Sequence, residues 1–175
     1  SPVTPGQNFN LTIDSRIQFY TFKHLSRFVI ANNAKGGSAI VLDNHSGEIL
    51  AIASYPSYNP NSRSRIIQRN RVLVDAFEPG SIIKPLVLAK GIDLGLITLD
   101  QVIDTSPGFI SLNNRKISDP RNYGELSFKE IIQKSSQVGA SKLALMIGVD
   151  GLTSSYKAFG LSKPSNIFFP GLAYG

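Results

Sequence analysis

The sequence predicts an α+β fold with antiparallel strands. Two observations point there. Ser38–Asp43 with Glu48–Ser54, and Phe109–Leu112 with Arg115–Ser118, each read as strand, turn, strand. Between and beyond these hairpins, apolar residues recur at helical spacing behind serine-based capping signals. A length of 175 residues is enough for one domain with a proper core, and 42% hydrophobic against 17% charged residues is an ordinary globular composition.

Taken in order, residues 1–10 are polar, carry Pro2, Pro5 and Gly6, and read as a linker or domain edge. Leu11–Ile13 is a short strand-like piece. Ser15 and Gln18 form a candidate capping box for a helix in which Ile17, Phe22, Leu25 and Val29 keep helical spacing to Ala31. Lys35-Gly36-Gly37 breaks it. In the first hairpin Asn44–Gly47 supplies turn chemistry. The near-continuous apolar character of Ala39–Leu42 and Ile49–Ala53 predicts strands covered on both faces. Tyr55–Asn61, with Pro56 and Pro60, is an exit loop. Ser81 to about Leu94 is helical. In the second hairpin Asn113-Asn114 suits a tight turn, because asparagine tolerates positive φ. Ser127 and Glu130 make a further capping box, and the helix behind it runs into Lys134–Gln137. A helix over Val138–Ile147 ends at Gly148, and a last one, Leu152–Phe159, stops at Gly160.

The chemistry concentrates in Phe77-Glu78-Pro79-Gly80-Ser81-Ile82-Ile83-Lys84-Pro85. Pro79-Gly80 makes a sharp entry. On a helical turn Ser81 Oγ and the Lys84 amine share one face, since residues three apart are neighbours there. A hydroxyl with an amine in reach is the minimum for nucleophilic acyl transfer. Pro85 prevents the helix from beginning much before Ser81, so free N–H groups and the positive dipole end favour a developing oxyanion. The pattern alone is weak, because Ser-x-x-Lys turns up about once by chance in such a chain. Ser154–Lys157 is a second copy, on an amphipathic run without an elbow, and reads as a solvated helix face. By spacing alone, Ser135-Ser136-Gln137 reads as capping between two helices.

Several classes are excluded or disfavoured. No apolar run approaches the roughly 18 residues of a membrane span. Cysteine is absent, so there are no disulfides or cysteine-based zinc sites. His24 and His45 are far apart and read as structural, so no metal and no cofactor is expected. The net charge of +6 is partly local, with Arg63, Arg65, Arg69 and Arg71 in one segment. That segment lacks interleaved aromatics and reads as a solvated basic loop, not a nucleic-acid surface. Attraction to an anionic envelope polymer is the weaker alternative.

Taken together, these residues resemble a known family. Gly37–Asp43, Ser46–Asn61, Asn70-Arg71, Phe77–Pro85 and Gln133–Leu145 are similar, in the same order, to the opening of a class B penicillin-binding protein transpeptidase domain. The septal, division-specific D,D-transpeptidases match best. The resemblance implies a penicillin-binding and β-lactamase-like fold, an antiparallel sheet flanked by helices. It implies that Ser81 is acylated by the penultimate D-alanine of a peptidoglycan stem peptide, ending in D-Ala-D-Ala, that Lys84 takes the Ser81 proton, and that Ser135 relays a proton to the departing D-alanine. Gln137 would bind substrate. β-Lactam antibiotics would trap Ser81, and cell-division proteins would be partners. The location implied is the bacterial envelope, on the periplasmic face of the cytoplasmic membrane, with an upstream anchor.

Two departures qualify this. Ser135-Ser136-Gln137 stands where the family has Ser-x-Asn, and no Lys-Thr-Gly or Lys-Ser-Gly occurs. Ser57–Asn59 and Ser111–Asn113 are literal Ser-x-Asn triplets but do not follow the elbow, and read as chance. Residues 11–175 are therefore expected to be an incomplete N-terminal portion of the domain, inactive as such. Residues are expected to be omitted between Gly171 and Leu172 and after Gly175. A non-catalytic penicillin-binding sensor or scaffold and a basic polymer-binding envelope domain are the alternatives.

Overall fold

The computed structural model describes residues 6, 8–59, 61, 69–162 and 171–173. The chain divides into two compact units between Asp75 and Ala76, with residues 171–173 belonging to the first. Among the described residues no helix is long and apolar enough to cross a membrane.

In the first unit α1 (Ser15–Ala31) lies on an antiparallel hairpin of β1 (Gly37–Leu42) and β2 (Ile49–Tyr55). The cap of α1 is Asp14, not Ser15. Its carboxylate accepts the Arg16 and Ile17 N–H groups at 2.9 and 3.0 Å, which holds that carboxyl below its usual range. Gln18 is correspondingly not a capping residue. Its side-chain amide donates to Ile52 O at 3.0 Å and accepts the Ile52 N–H at 2.8 Å, pinning helix to strand. Leu11–Ile13 forms no strand, although Thr12 Oγ1 donates to Ile49 O at 2.6 Å. The expectation of strands covered on both faces fails for β1, which alternates half-buried and exposed residues because α1 covers one face. A short helix, α2 (Arg71–Val74), is capped by Asn70, whose Oδ1 accepts from the Val72 N–H and from Ser54 Oγ, both at 3.1 Å. Arg69 and Arg71 both pair with Asp75, so these two are partnered and not simply solvated. Arg63 and Arg65 lie outside the described residues.

In the second unit Gly80 takes φ +59, a region costly for any residue with a Cβ, and the chain turns there. A 3-10 turn, Gly80–Ile83, leads into α3 (Lys84–Asp93). The α-helix thus begins later than Ser81, with Pro85 in its first turn where no N–H partner is lost. Lys84 has φ −58 and ψ −40, helical despite the proline behind it. Strand β4 (Phe109–Leu112) pairs with β5 (Arg115–Ser118) through Asn113 and Asn114 at φ 47 and 62. Strand β3 (Val102–Asp104) pairs with β6 (Glu125–Ser127), a ladder without a local signal.

The Ser127–Glu130 capping box starts α4 (Phe128–Gln133). Lys134 and the Ser127 N–H together draw the Glu130 carboxyl down to about 2. Helix α5 (Gln137–Ala158) is two helices broken at Gly148, where φ 77 and ψ 169 leave the helical region. Leu126, Phe128, Ile131 and Leu143 are fully enclosed, and with Val87, Leu88 and Ile97 they form the core on which α3, α4 and α5 meet. Antiparallel ladders and helices, the α+β class, thus describe both units.

Candidate active site

The elbow raises Ser81 on the 3-10 turn, with an exposed side chain. One turn on, the Lys84 stem enters the core side of α3, and the residue is only 8% exposed. Its ammonium donates to two acceptors of Ser135, the backbone O at 2.5 Å and Oγ at 3.0 Å. Ser135 Oγ in turn donates to Ser81 Oγ at 3.0 Å. The path therefore runs Lys84, Ser135, Ser81. Among the described residues Lys84 and Ser81 make no direct hydrogen bond, and Ser135 bridges them.

Burial pushes the Lys84 amine below its ordinary value, and the negative field of Asp119 works against this. A lowered value favours the neutral amine. With that amine neutral, its lone pair accepts from the Ser135 hydroxyl, which can then accept from Ser81. The three groups can so pass a proton from Ser81 to Lys84, because hydroxyl rotors turn freely. Ser135 holds this place with φ +51, an uncommon conformation for a residue with a Cβ.

Gln137 is the first residue of α5. Its N–H donates to Asp119 Oδ1 at 2.5 Å, while its exposed side-chain amide makes no hydrogen bond among the described residues. Nothing local in the sequence marks Asp119. It is an acid between a strand and a proline, a setting that reads as loop, and only the pairing of distant segments reveals its burial. The second Ser-x-x-Lys copy is a local arrangement, with Ser154 Oγ donating to Gly151 O at 2.8 Å. Asn113 is spent in the hairpin turn, and Asn59 Oδ1 accepts the Asn61 N–H at 3.0 Å. His24 stacks on Tyr20 within α1. Among the described residues no group of three or more His, Cys, Asp or Glu is placed to hold a metal ion.

Comparison with known proteins gives a family match, a sequence relative and two similar solved structures. The family described as "Penicillin binding protein transpeptidase domain" matches residues 37–175. The chain is 40% identical over 165 residues to "Peptidoglycan D,D-transpeptidase FtsI" of Escherichia coli (strain K12), covering 93% of this chain and 28% of that protein. It therefore spans less than a third of that relative's length. Among solved structures it is similar to the apo transpeptidase domain of Burkholderia pseudomallei penicillin-binding protein 3, with a TM-score of 0.82 and 37% identity over 97% of this chain and 48% of that one. A peptidoglycan glycosyltransferase structure from Burkholderia ambifaria gives a TM-score of 0.85, again at 37% identity, over 95% of this chain and 49% of that one.

Proposed function

Because the chain belongs to the penicillin-binding protein transpeptidase family, we propose that it carries the nucleophile, base and proton relay of a serine-type peptidoglycan D,D-transpeptidase. The observation that supports this reading is the hydrogen-bonded path Lys84–Ser135–Ser81. Ser81 Oγ attacks the carbonyl carbon of the penultimate D-alanine. Its proton passes through Ser135 to the neutral Lys84 amine. As the C–N bond breaks, that proton returns through Ser135 to the nitrogen of the departing D-alanine, leaving an ester on Ser81. The amine of a neighbouring stem peptide then attacks the ester, loses a proton along the same path, and frees Ser81. A β-lactam enters the first step only, since its leaving nitrogen stays tethered. Gln137 is read as a substrate-binding amide.

In this reading residues 11–175 are the N-terminal portion of the transpeptidase domain, and residues 1–10 its edge. The protein acts at the outer face of the cytoplasmic membrane during division, held by a segment upstream. The test uses the full-length protein and fluorescent penicillin. Ser81→Ala is expected to abolish covalent labelling while the wild type labels and turns over a D-Ala-D-Ala peptide. Labelling that survives Ser81→Ala overturns the reading. Gln137 in place of asparagine favours one other reading, a β-lactam sensor, for which labelling occurs without peptide turnover.

A further inference from the structure

Asp119 is only 8% exposed, and a buried carboxylate persists only where donors replace its water. Here the donors come from one short turn. Asp119 Oδ2 accepts the Ser136 hydroxyl at 2.6 Å, and Oδ1 accepts the N–H groups of Gln137 and Val138 at 2.5 and 3.2 Å. Ser136 Oγ accepts the Gly139 N–H at 2.9 Å. The acid and its hydroxyl partner thus take the first three N–H groups of α5, where negative charge is favoured. Asp119 is itself anchored. Its N–H donates to Gly108 O at 2.9 Å, and Gly108 bears against Asn122 so closely that a Cβ there would lie 2.9 Å from Asn122 Cα. The residue before the clamped turn is Ser135, whose backbone O and Oγ both receive Lys84.

We propose that Asp119 is a positioning residue for acyl transfer, its carboxylate clamping the Ser136–Val138 turn so that Ser135 stays between Lys84 and Ser81. This rests on the reading of those three residues given above. The charge of Asp119 has a separable effect. The α4–α5 junction presents the neutral hydroxyl of Ser135 to Lys84, and the 3-10 turn presents that of Ser81 to Ser135. From the end of β5, Asp119 is the ionised group whose field reaches the amine among the described residues, and it favours the ammonium. Acylation needs the neutral amine. Removing the negative charge lowers the pH at which Lys84 deprotonates, so the acid limb of the acylation profile moves to lower pH.

The experiment measures the second-order acylation constant of the full-length protein with fluorescent penicillin across pH, for wild type, Asp119→Asn, Asp119→Ala and Ser81→Ala. Asparagine keeps an acceptor for Gln137 and Val138 and can donate to Ser136 Oγ, so it keeps the backbone part of the clamp without the charge, while the buried Ser136 hydroxyl loses its acceptor. Asp119→Asn is expected to acylate within about tenfold of wild type at its optimum, with the acid limb displaced downward. Asp119→Ala loses the clamp, and acylation falls about a hundredfold at every pH, the scale expected for a displacement of ~1 Å. An unmoved or upward limb in Asp119→Asn, or wild-type rates in a folded Asp119→Ala, overturns the inference. If Asp119→Ala fails to fold, Asp119→Glu, which keeps the charge but moves the carboxylate by one methylene, takes its place, and a folded Asp119→Glu that acylates at the wild-type rate overturns the clamp. Labelling that persists in Ser81→Ala overturns the underlying reading instead, so the two failures are distinct.

Discussion

Gln137 is held by its backbone, and its side chain is unengaged among the described residues. Replacing it by asparagine therefore leaves the Asp119 contact intact and shortens the reach of the amide by about a bond length, in a site where ~1 Å can change rates ~100-fold. Gln137→Asn is expected to raise the acylation rate of the full-length protein by about tenfold. A surface change of this kind shifts stability by no more than about 0.5 kcal/mol. Stopped-flow acylation and a thermal melt on the same sample check both statements, and a lowered rate at unchanged stability would show that the longer amide is the fitted one. At this scale an elbow and a spacing of three mark Ser81 and Lys84 as candidates in the sequence, whereas only the family resemblance marks Ser135. Their connectivity is unmarked. Spacing suggests direct contact between Ser81 and Lys84, whereas the bridging hydroxyl arrives from 54 residues away.

The elements show the same division between local and distant information. The Ser127–Glu130 box, the Asn113-Asn114 turn and the break at Gly148 are all written within a few residues, and each is found where the residues predict it. The capping signal at Ser15 lies one position from the true cap because Asp14 competes for the N–H groups of the first turn, and aspartate caps at least as well. The β3–β6 ladder joins three-residue strands more than twenty positions apart, too short to carry a period. The junction of α4 with α5 is packed against itself. A Cβ on Gly139 would lie 2.7 Å from Ile131 Cδ1 and Cγ1 and 3.2 Å from Ser136 Oγ. Ile131 is 0% exposed, so it can turn aside only by displacing its core neighbours. Gly139→Ala is therefore expected to destabilise by about 1–3 kcal/mol, the usual range for overpacking, read from the denaturant midpoint. An unchanged midpoint would mean that the junction yields more easily than its contacts suggest.

For the molecule as a whole, each unit has its own ladders and helices, and the hydrogen-bonded trio of Ser81, Lys84 and Ser135 lies in the second. The chain nevertheless spans 28% of the E. coli relative's length and contains no Lys-Thr-Gly or Lys-Ser-Gly. Loss of one oxyanion donor alone typically costs ~10²–10³ in rate. The isolated 175-residue chain is accordingly expected to label with fluorescent penicillin at least about a hundredfold more slowly than the full-length protein. Equal labelling would place all the necessary groups inside these residues.

The opening turn of α5 has a consequence for whatever anion approaches it. Its first three N–H groups end on Asp119 and Ser136 Oγ, and the fourth, from Ala140, on Ser136 O. The helix has already spent its attraction for negative charge internally. A terminal carboxylate arriving beside Ser135 would meet an occupied berth, and its charge would have to be answered by basic side chains.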